Sequence, residues 1–283
     1  MANFFDFDEA LIPMEDWIET AVQWLVSNYR PEFQLIKWPV EKTLWSIDQF
    51  LNWMHPAVIL ILVFIIAWRS AGRGIAIFSL VTLVVVGMLG MWSETMTTLA
   101  MVLSAVVFCT VVGVPLGIIA SQSDTFEALL RPALDAMQTT PAFVYLVPVV
   151  MLFSIGTVAG VIATIIFAMP PIIRLTNLGI RQVPKELVEA ARAFGGTRGQ
   201  ILRRVQVPIA LPTIMAGLNQ TIMLSLSMVV IAALIGAGGL GVPVFQGLNS
   251  LQVGLAGVGG LSIVLMAMVL DRITQSFAKP RGK

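Results

Sequence analysis

Charged side chains are scarce in this sequence: they make up 12% of its 283 residues, about half the share usual in soluble proteins. A water-soluble domain of this size would lack the polar side chains to cover its surface. Hydrophobic residues reach 57%, which points to a polytopic membrane protein and excludes disorder, collagen and coiled coil. The net charge is only +1 and no basic face stands out, so a nucleic-acid binder is not expected. Cysteine occurs once, at Cys109, which rules out an intrachain disulfide and makes a Cys-based metal site implausible. The single histidine, His55, excludes multi-histidine metal ligation and reads as a helix-end residue at the membrane surface. No G-x-x-x-x-G-K-S/T run is present, so the chain does not cradle nucleotide phosphates by that route. A basic region of the kind that opens an export signal is also missing. Residues 1–19 carry Asp6, Asp8, Glu9, Glu15, Asp16 and Glu19 and no Lys or Arg, so targeting is expected to lie in the transmembrane helices.

Residues 1–55 are the only long polar region, and two stretches in it have helical periodicity. Trp17, Ile18, Ala21, Trp24 and Leu25 share one face; Val40, Leu44, Ile47, Leu51 and Met54 share another. Pro31 and Pro39 punctuate the link between them. The expectation is two amphipathic helices lying in the headgroup layer. Seven apolar segments follow, at 57–68, 74–92, 98–120, 141–155, 158–173, 208–235 and 254–270. The first is short for a span of roughly 20 residues. The third holds a Gly113-x-x-x-Gly117 pair, and small residues of this kind let helices approach closely.

Positive charge stays in the cytoplasm. Arg69 and Arg73 follow the first segment, Arg131 the third, Arg174 to Arg204 the fifth, and Arg272 to Lys283 the seventh. Only Arg30, Lys37 and Lys42 fall elsewhere. Seven spans with the N-terminus out and the C-terminus in satisfy this pattern; a re-entrant first segment would make six and place the N-terminus inside. Trp17, Trp24, Trp38, Trp45 and Trp53 crowd the N-terminal region, and Trp68 and Trp92 sit at segment ends. That distribution fits an interfacial belt better than a cage holding a cation by cation–π attraction.

Residues 174–207 form the long polar interruption. Pro184 suits a first helical turn, and Lys185 to Phe194 contains good helix formers. Gly195 and Gly196 break that helix, Thr197 can cap a second one over 198–205, and Pro208 opens the next span. On composition alone this could be a plain amphipathic loop held by its arginines against anionic lipid. Its spacing is more specific: Glu189-Ala190-Ala191, then Gly195, then Val205, Val207 and Pro208. This resembles the EAA signature of bacterial ABC-importer permeases, with Val205 and Val207 where that family prefers Ile and Leu. Further stretches resemble the glycine betaine/proline betaine group of these permeases. They are DAMQTTPAFVYLVP over 135–148, PPIIRLT over 170–176, NQTIMLSLSMVVIA over 219–232, GGLG over 238–241 and DRITQ over 271–275. The likeness covers about 10–275.

The resemblance implies an all-α polytopic membrane helix bundle of the type I ABC importer permease fold. It has about seven transmembrane helices preceded by interfacial amphipathic helices. It divides the chain into an extracytoplasmic N-terminal region at 1–55, a permease domain at 56–273 with a cytoplasmic coupling loop at 179–207, and a cytoplasmic tail at 274–283. It implies a permease homodimer in the bacterial inner membrane, two cytoplasmic ABC ATPases and a periplasmic or tethered binding protein. No cofactor is expected in this chain, since ATP and Mg would sit on the ATPase. Glu189, Ala190, Ala191, Gly195, Val205 and Pro208 would couple to the ATPase. The binding protein would hold any aromatic cage for a trimethylammonium group. An acidic outer region could modestly favour a cation such as choline over a zwitterion such as betaine.

Polar side chains inside spans are the usual pointers to a path. Gln138, Thr139, Thr140 and Tyr145 enter the fourth segment, and Asn219, Gln220, Ser225 and Ser227 lie in the sixth. Hydrogen bonding between helices is the alternative role for each. Gly238, Gly239 and Gly241 read as an outward or re-entrant turn that could face the binding protein. Two other readings remain: a self-sufficient secondary carrier, and a membrane scaffold or sensor that moves nothing. A carrier of the first kind often shows an inverted repeat, and none is evident here.

Overall fold

The computed structural model describes residues 13–278. The acids Asp6, Asp8 and Glu9 and the bases Lys279, Arg281 and Lys283 lie outside the described residues. Among the described residues every regular element is helical.

The first helix, α1, is Met14–Trp53, and it runs through both Pro31 and Pro39. Two separate helices were the expectation. An internal proline removes one hydrogen bond and crowds the preceding turn, but in membrane bundles neighbouring helices hold both halves in place. The second half of α1 does not lie on the surface: Val40, Leu44 and Leu51 are buried in the main core cluster. The first half does leave Trp17, Ile18 and Trp24 exposed, as an interfacial helix would.

Next come α2 (Pro56–Ala71) and α3 (Arg73–Met88), joined by Gly72 at φ +93°. His55 caps α2: its Nδ1 accepts the Ala57 N–H at 3.3 Å, which gives the lone histidine the expected helix-end place. The remaining helices are α4 (Trp92–Gln122), α5 (Asp124–Thr139), α6 (Leu146–Phe153), α7 (Thr157–Arg181), α8 (Lys185–Ala193), α9 (Arg198–Ile201), α10 (Val207–Ile231), α11 (Gly241–Asn249) and α12 (Val253–Ala278). Residues 274–278 of the expected tail are thus the last turn of α12.

Four helical stretches are long and apolar enough to cross a membrane: Trp92–Gln122, Thr157–Arg181, Arg198–Ile235 and Val253–Phe277. Two bent pairs raise the number to six if each is one span. This is fewer than the expected seven. The expected segment outside these six is α3, whose 16 residues reach about 24 Å against a hydrocarbon core of about 30 Å. The fourth expected segment is a 3-10 turn (Ala142–Tyr145) followed by the short α6, set at 106° to α5. Extended backbone at Thr140, ahead of Pro141, makes that break.

At the centre stands α7. Cys109, Gly113 and Gly117 of α4 meet Ile165, Ile172 and Thr176 in turn, so α4 and α7 run parallel. Gly179 packs on Ala210 and Thr213, Gly217 on Ile172 and Leu175, and Gly160 on Ala232, so α10 runs antiparallel to α7. Lipid tails are as apolar as leucine, and close packing rather than water exclusion holds such helices together. Glycines at the crossings allow that approach. The C-terminal ends of α4 and α7 and the N-terminal end of α10 therefore share one end of the bundle.

Candidate functional site

That end carries the helix–turn–helix expected over 185–207. The helix α8 closes with Gly195 at φ +80°. The Gly195 N–H donates to Arg192 O at 2.9 Å and the Gly196 N–H to Ala191 O at 3.0 Å. This is a Schellman ending, which satisfies the orphan carbonyls of the last turn. One residue later Thr197 forms a capping box. Its Oγ1 accepts the Gln200 N–H at 3.4 Å, and Gln200 Oε1 accepts the Thr197 N–H at 2.9 Å. Two local motifs back to back make a stiff corner with little help from tertiary packing.

The corner is presented to solvent. No residue of α8 is buried, Phe194 is 93% exposed, and Glu189, Ala190 and Gly195 are exposed while Ala191 is half-buried. Beneath it, Val183 and Ile201 anchor the element to the bundle. The second helix does not stop at 205. A π-helical turn, Leu202–Gln206, links α9 to α10, so Arg198–Ile235 is one rod. Val205 sits in that turn and Pro208 just after it. Pro208 has no N–H to donate, and a widened turn relieves its crowding of the preceding carbonyls.

The expected path residues separate into two kinds. Several use their hydroxyls locally. Thr139 Oγ1 donates to Asp135 O at 3.0 Å, Thr140 Oγ1 to Ala136 O at 2.8 Å, Ser225 Oγ to Thr221 O at 2.8 Å and Ser227 Oγ to Met223 O at 3.2 Å. The Tyr145 hydroxyl donates to Met137 O at 2.7 Å, tying the 3-10 turn to α5. Asn219 bridges helices: its Nδ2 donates to Asp271 Oδ1 at 3.0 Å, and its Oδ1 accepts from Thr274 Oγ1 at 2.6 Å. Ser225 is buried, whereas Gln138, Thr139, Gln220 and Ser227 stay exposed. Gln220 and Ser227, seven residues apart, share one face of α10.

The glycine turn after α10 is placed differently from the outward turn. Gly239, at φ +88°, and Gly241 are buried. The Leu240 N–H donates to Thr98 Oγ1 at 2.7 Å and the Gly238 N–H to Thr157 Oγ1 at 3.4 Å. The turn folds inward onto α4 and α7 because its free N–H groups find those hydroxyls. Thr98 and Thr157 were not singled out in the sequence, although a hydroxyl opening an apolar run is a readable signal. Thr98→Val should leave the buried Leu240 N–H without an acceptor, at a cost of about 1–3 kcal/mol. The expected result is a lower melting temperature for the purified protein, with Thr98→Ser near wild type. Exposed at this end instead are Leu248 near the end of α11, Leu251 in the turn and Val253 at the start of α12.

The tryptophans form no cage. Trp17, Trp24, Trp38, Trp45 and Trp53 are spread along α1 and exposed. Lys42 Nζ lies 5.0 Å from the Trp38 ring and Arg73 5.8 Å from that of Trp68.

The site is a small-residue membrane bundle with an exposed, stiff helix–turn–helix at one end. Residues 113–279 match the family described as binding-protein-dependent transport system inner membrane component, and the chain belongs to that family. It is 53% identical, over 98% of its length and 78% of the relative's, to the glycine betaine/proline betaine transport system permease protein ProW of Escherichia coli (strain K12). It is 47% identical, over 96% of its length and 97% of the relative's, to the glycine betaine transport system permease protein OpuAB of Bacillus subtilis (strain 168). Among solved structures, an inward-facing MetNI methionine ABC transporter matches with a TM-score of 0.54 and 27% identity. That match covers 64% of this chain and 92% of the other. The chain is thus a multi-pass permease subunit of an ABC importer, and ATP is used by a partner ATPase.

Proposed function

We propose that the chain forms the transmembrane path for a quaternary ammonium osmoprotectant, glycine betaine or proline betaine, with choline as a further candidate. The observation that carries the coupling role is the exposed Schellman corner at Gly195. It leaves Glu189 and Ala190 exposed and Ala191 half-buried at the basic end of the bundle. In this reading two copies pair, and two ATPases with bound Mg and ATP seat under α8. Glu189 orients the docked element, the alanines pack, Gly195 makes the turn, and Val205 and Pro208 set the rod that leads into α10. This reading puts the cytoplasmic side at the end holding Arg192, Arg198, Arg203 and Arg204; with α3 crossing as a short seventh span, the first half of α1 lies outside. The proposed domain division keeps a boundary near 55, with only the first half of α1 as an outer element and its second half packed on the permease core, then a permease domain at 56–273 with its coupling loop at 179–207, and a short tail. Gln138, Gln220 and Ser227 are the path residues this reading favours, because their side chains remain exposed. The binding protein meets the turn at Leu248, Leu251 and Val253 in preference to the buried glycines.

The test is ATP-driven uptake of labelled glycine betaine into proteoliposomes holding this chain, its cognate ATPase and its binding protein. Uptake is expected to require all three components and ATP, and competition by proline betaine and choline ranks the substrates. A carrier would work without the ATPase, and a scaffold would move nothing.

A further inference from the structure

The amphipathic helix α5 is tied to α7 by charge more than by packing. Of its 16 residues only Leu134 is buried. A cavity of about 340 Å³ lies beneath it, between Glu127, Leu130 and Arg131 on one side and Ile173 and Asn177 on the other. Three ion pairs cross this gap: Arg174 Nη2 to Asp135 Oδ1 at 2.5 Å, Arg181 Nη1 to Asp124 Oδ1 at 2.6 Å, and Arg181 Nη2 to Glu127 Oε2 at 2.9 Å. The Arg181 guanidinium does more. Its Nη2 donates to Ala120 O at 2.9 Å and its Nε to Asn177 Oδ1 at 2.8 Å. One side chain therefore joins the end of α4, the start of α5 and its own helix.

Its position matters as much as its contacts. Arg181 is the last residue of α7, and only Gln182, Val183 and Pro184 separate it from α8. The far end of α5 runs straight into Gln138 and Thr139, and Met137 O holds the Tyr145 hydroxyl. We propose that Arg181, supported by Arg174, is the positioning residue that carries movement of α8 to α5 and so to the 138–145 segment of the path. This rests on the reading of α8 as the ATPase-docking element. Ion pairs over a poorly packed gap suit such a relay. Each exposed pair is weak enough to re-seat, while the planar guanidinium fork fixes direction in a way a lysine ammonium does not.

The experiment uses the complete complex in proteoliposomes and reads ATP hydrolysed per glycine betaine imported. With Arg181→Gln the complex should still hydrolyse ATP, but the ATP spent per solute should rise about tenfold or more, with Arg181→Lys intermediate. Asp135→Arg combined with Arg174→Asp should restore coupling relative to either single change. If hydrolysis and uptake fall together at an unchanged ratio, or if the ratio stays at the wild-type value, the relay is wrong. Should Arg181→Gln fail to assemble, Asp124→Asn with Glu127→Gln decides the matter, because both side chains are partly or fully open to solvent and their loss removes only the ties to α5. Co-purification of the ATPase separates this proposal from the docking reading. Glu189→Lys should lose the ATPase and Arg181→Gln should keep it. A Glu189→Lys complex that retains the ATPase and transports normally would count against docking through α8, whereas a normal ratio in Arg181→Gln alone would overturn only the relay.

Discussion

Glu189→Lys is expected to abolish betaine uptake while leaving the permease inserted and folded. Glu189 is exposed on α8 and has no ion-pair partner among the described residues. Reversing it should change the chain's own stability by no more than about 0.5 kcal/mol, as usual for an isolated surface site. Against a docked partner the same change buries a wrong-signed charge at about 2–5 kcal/mol, a loss of roughly thirtyfold or more in binding. Gly195 reports the second half of the same device. No atom of the chain lies within 4 Å of where its Cβ would be, so a side chain there meets strain and no clash. At φ +80° a branched residue costs roughly 1–2 kcal/mol or more, which favours reopening the corner. Gly195→Val should cut uptake severely, and Gly195→Asn, whose side chain tolerates this conformation, should retain most of it. Normal uptake by Glu189→Lys or by Gly195→Val would remove the docking role from this element.

Gly117→Leu should prevent a folded permease from accumulating at all. A Cβ at Gly117 would stand 2.6 Å from Thr176 Cβ and 2.7 Å from the Ile173 carbonyl oxygen. Neither can give way: one is the root of a buried side chain and the other is backbone of the central helix. Overpacking ordinarily costs about 1–3 kcal/mol, and here relief requires α4 to move away from α7 along a contact shared with Gly113. Membrane yield after detergent extraction and gel filtration measures this. Gly74→Leu provides the control, because nothing in the chain lies within 4 Å of its Cβ. A monodisperse Gly117→Leu protein at wild-type yield would show that α4 and α7 are looser than the structure has them.

The helix–turn–helix over 185–207 was legible because its information is local. Proline at a first turn, a run of helix formers, two glycines and a capping threonine each constrain the next few residues, and the resulting motifs close their own hydrogen bonds. The π-helical turn at Val205 was not read from the sequence, although Pro208 just beyond it is the local feature that favours a widened turn. The Gly113 and Gly117 pair announced a close helix contact in advance; that its partner is α7, running parallel, depends on the return made by α5 and α6. Apolar segment counting found the helices, and of the seven segments only α3 falls outside the six that length and composition allow. Hydropathy measures composition, and it does not detect a 106° bend between two short helices.

By itself the sequence determined the membrane class, the all-helical fold, the family and the position of the exposed helix–turn–helix. These follow from composition, from hydrogen bonding that must close within each helix in a bilayer, and from short-range motif chemistry. Only the tertiary structure decided that the second half of α1 is part of the core, that the glycine turn after α10 is buried on Thr98, and that Asn219 is a tie to Asp271. It also decided that Arg181 gathers Asp124, Glu127, Ala120 and Asn177. Apart from Arg181 to Asn177, one helical turn apart, these are contacts between residues tens of positions apart, and no local periodicity encodes which donor will meet which acceptor once the helices have packed.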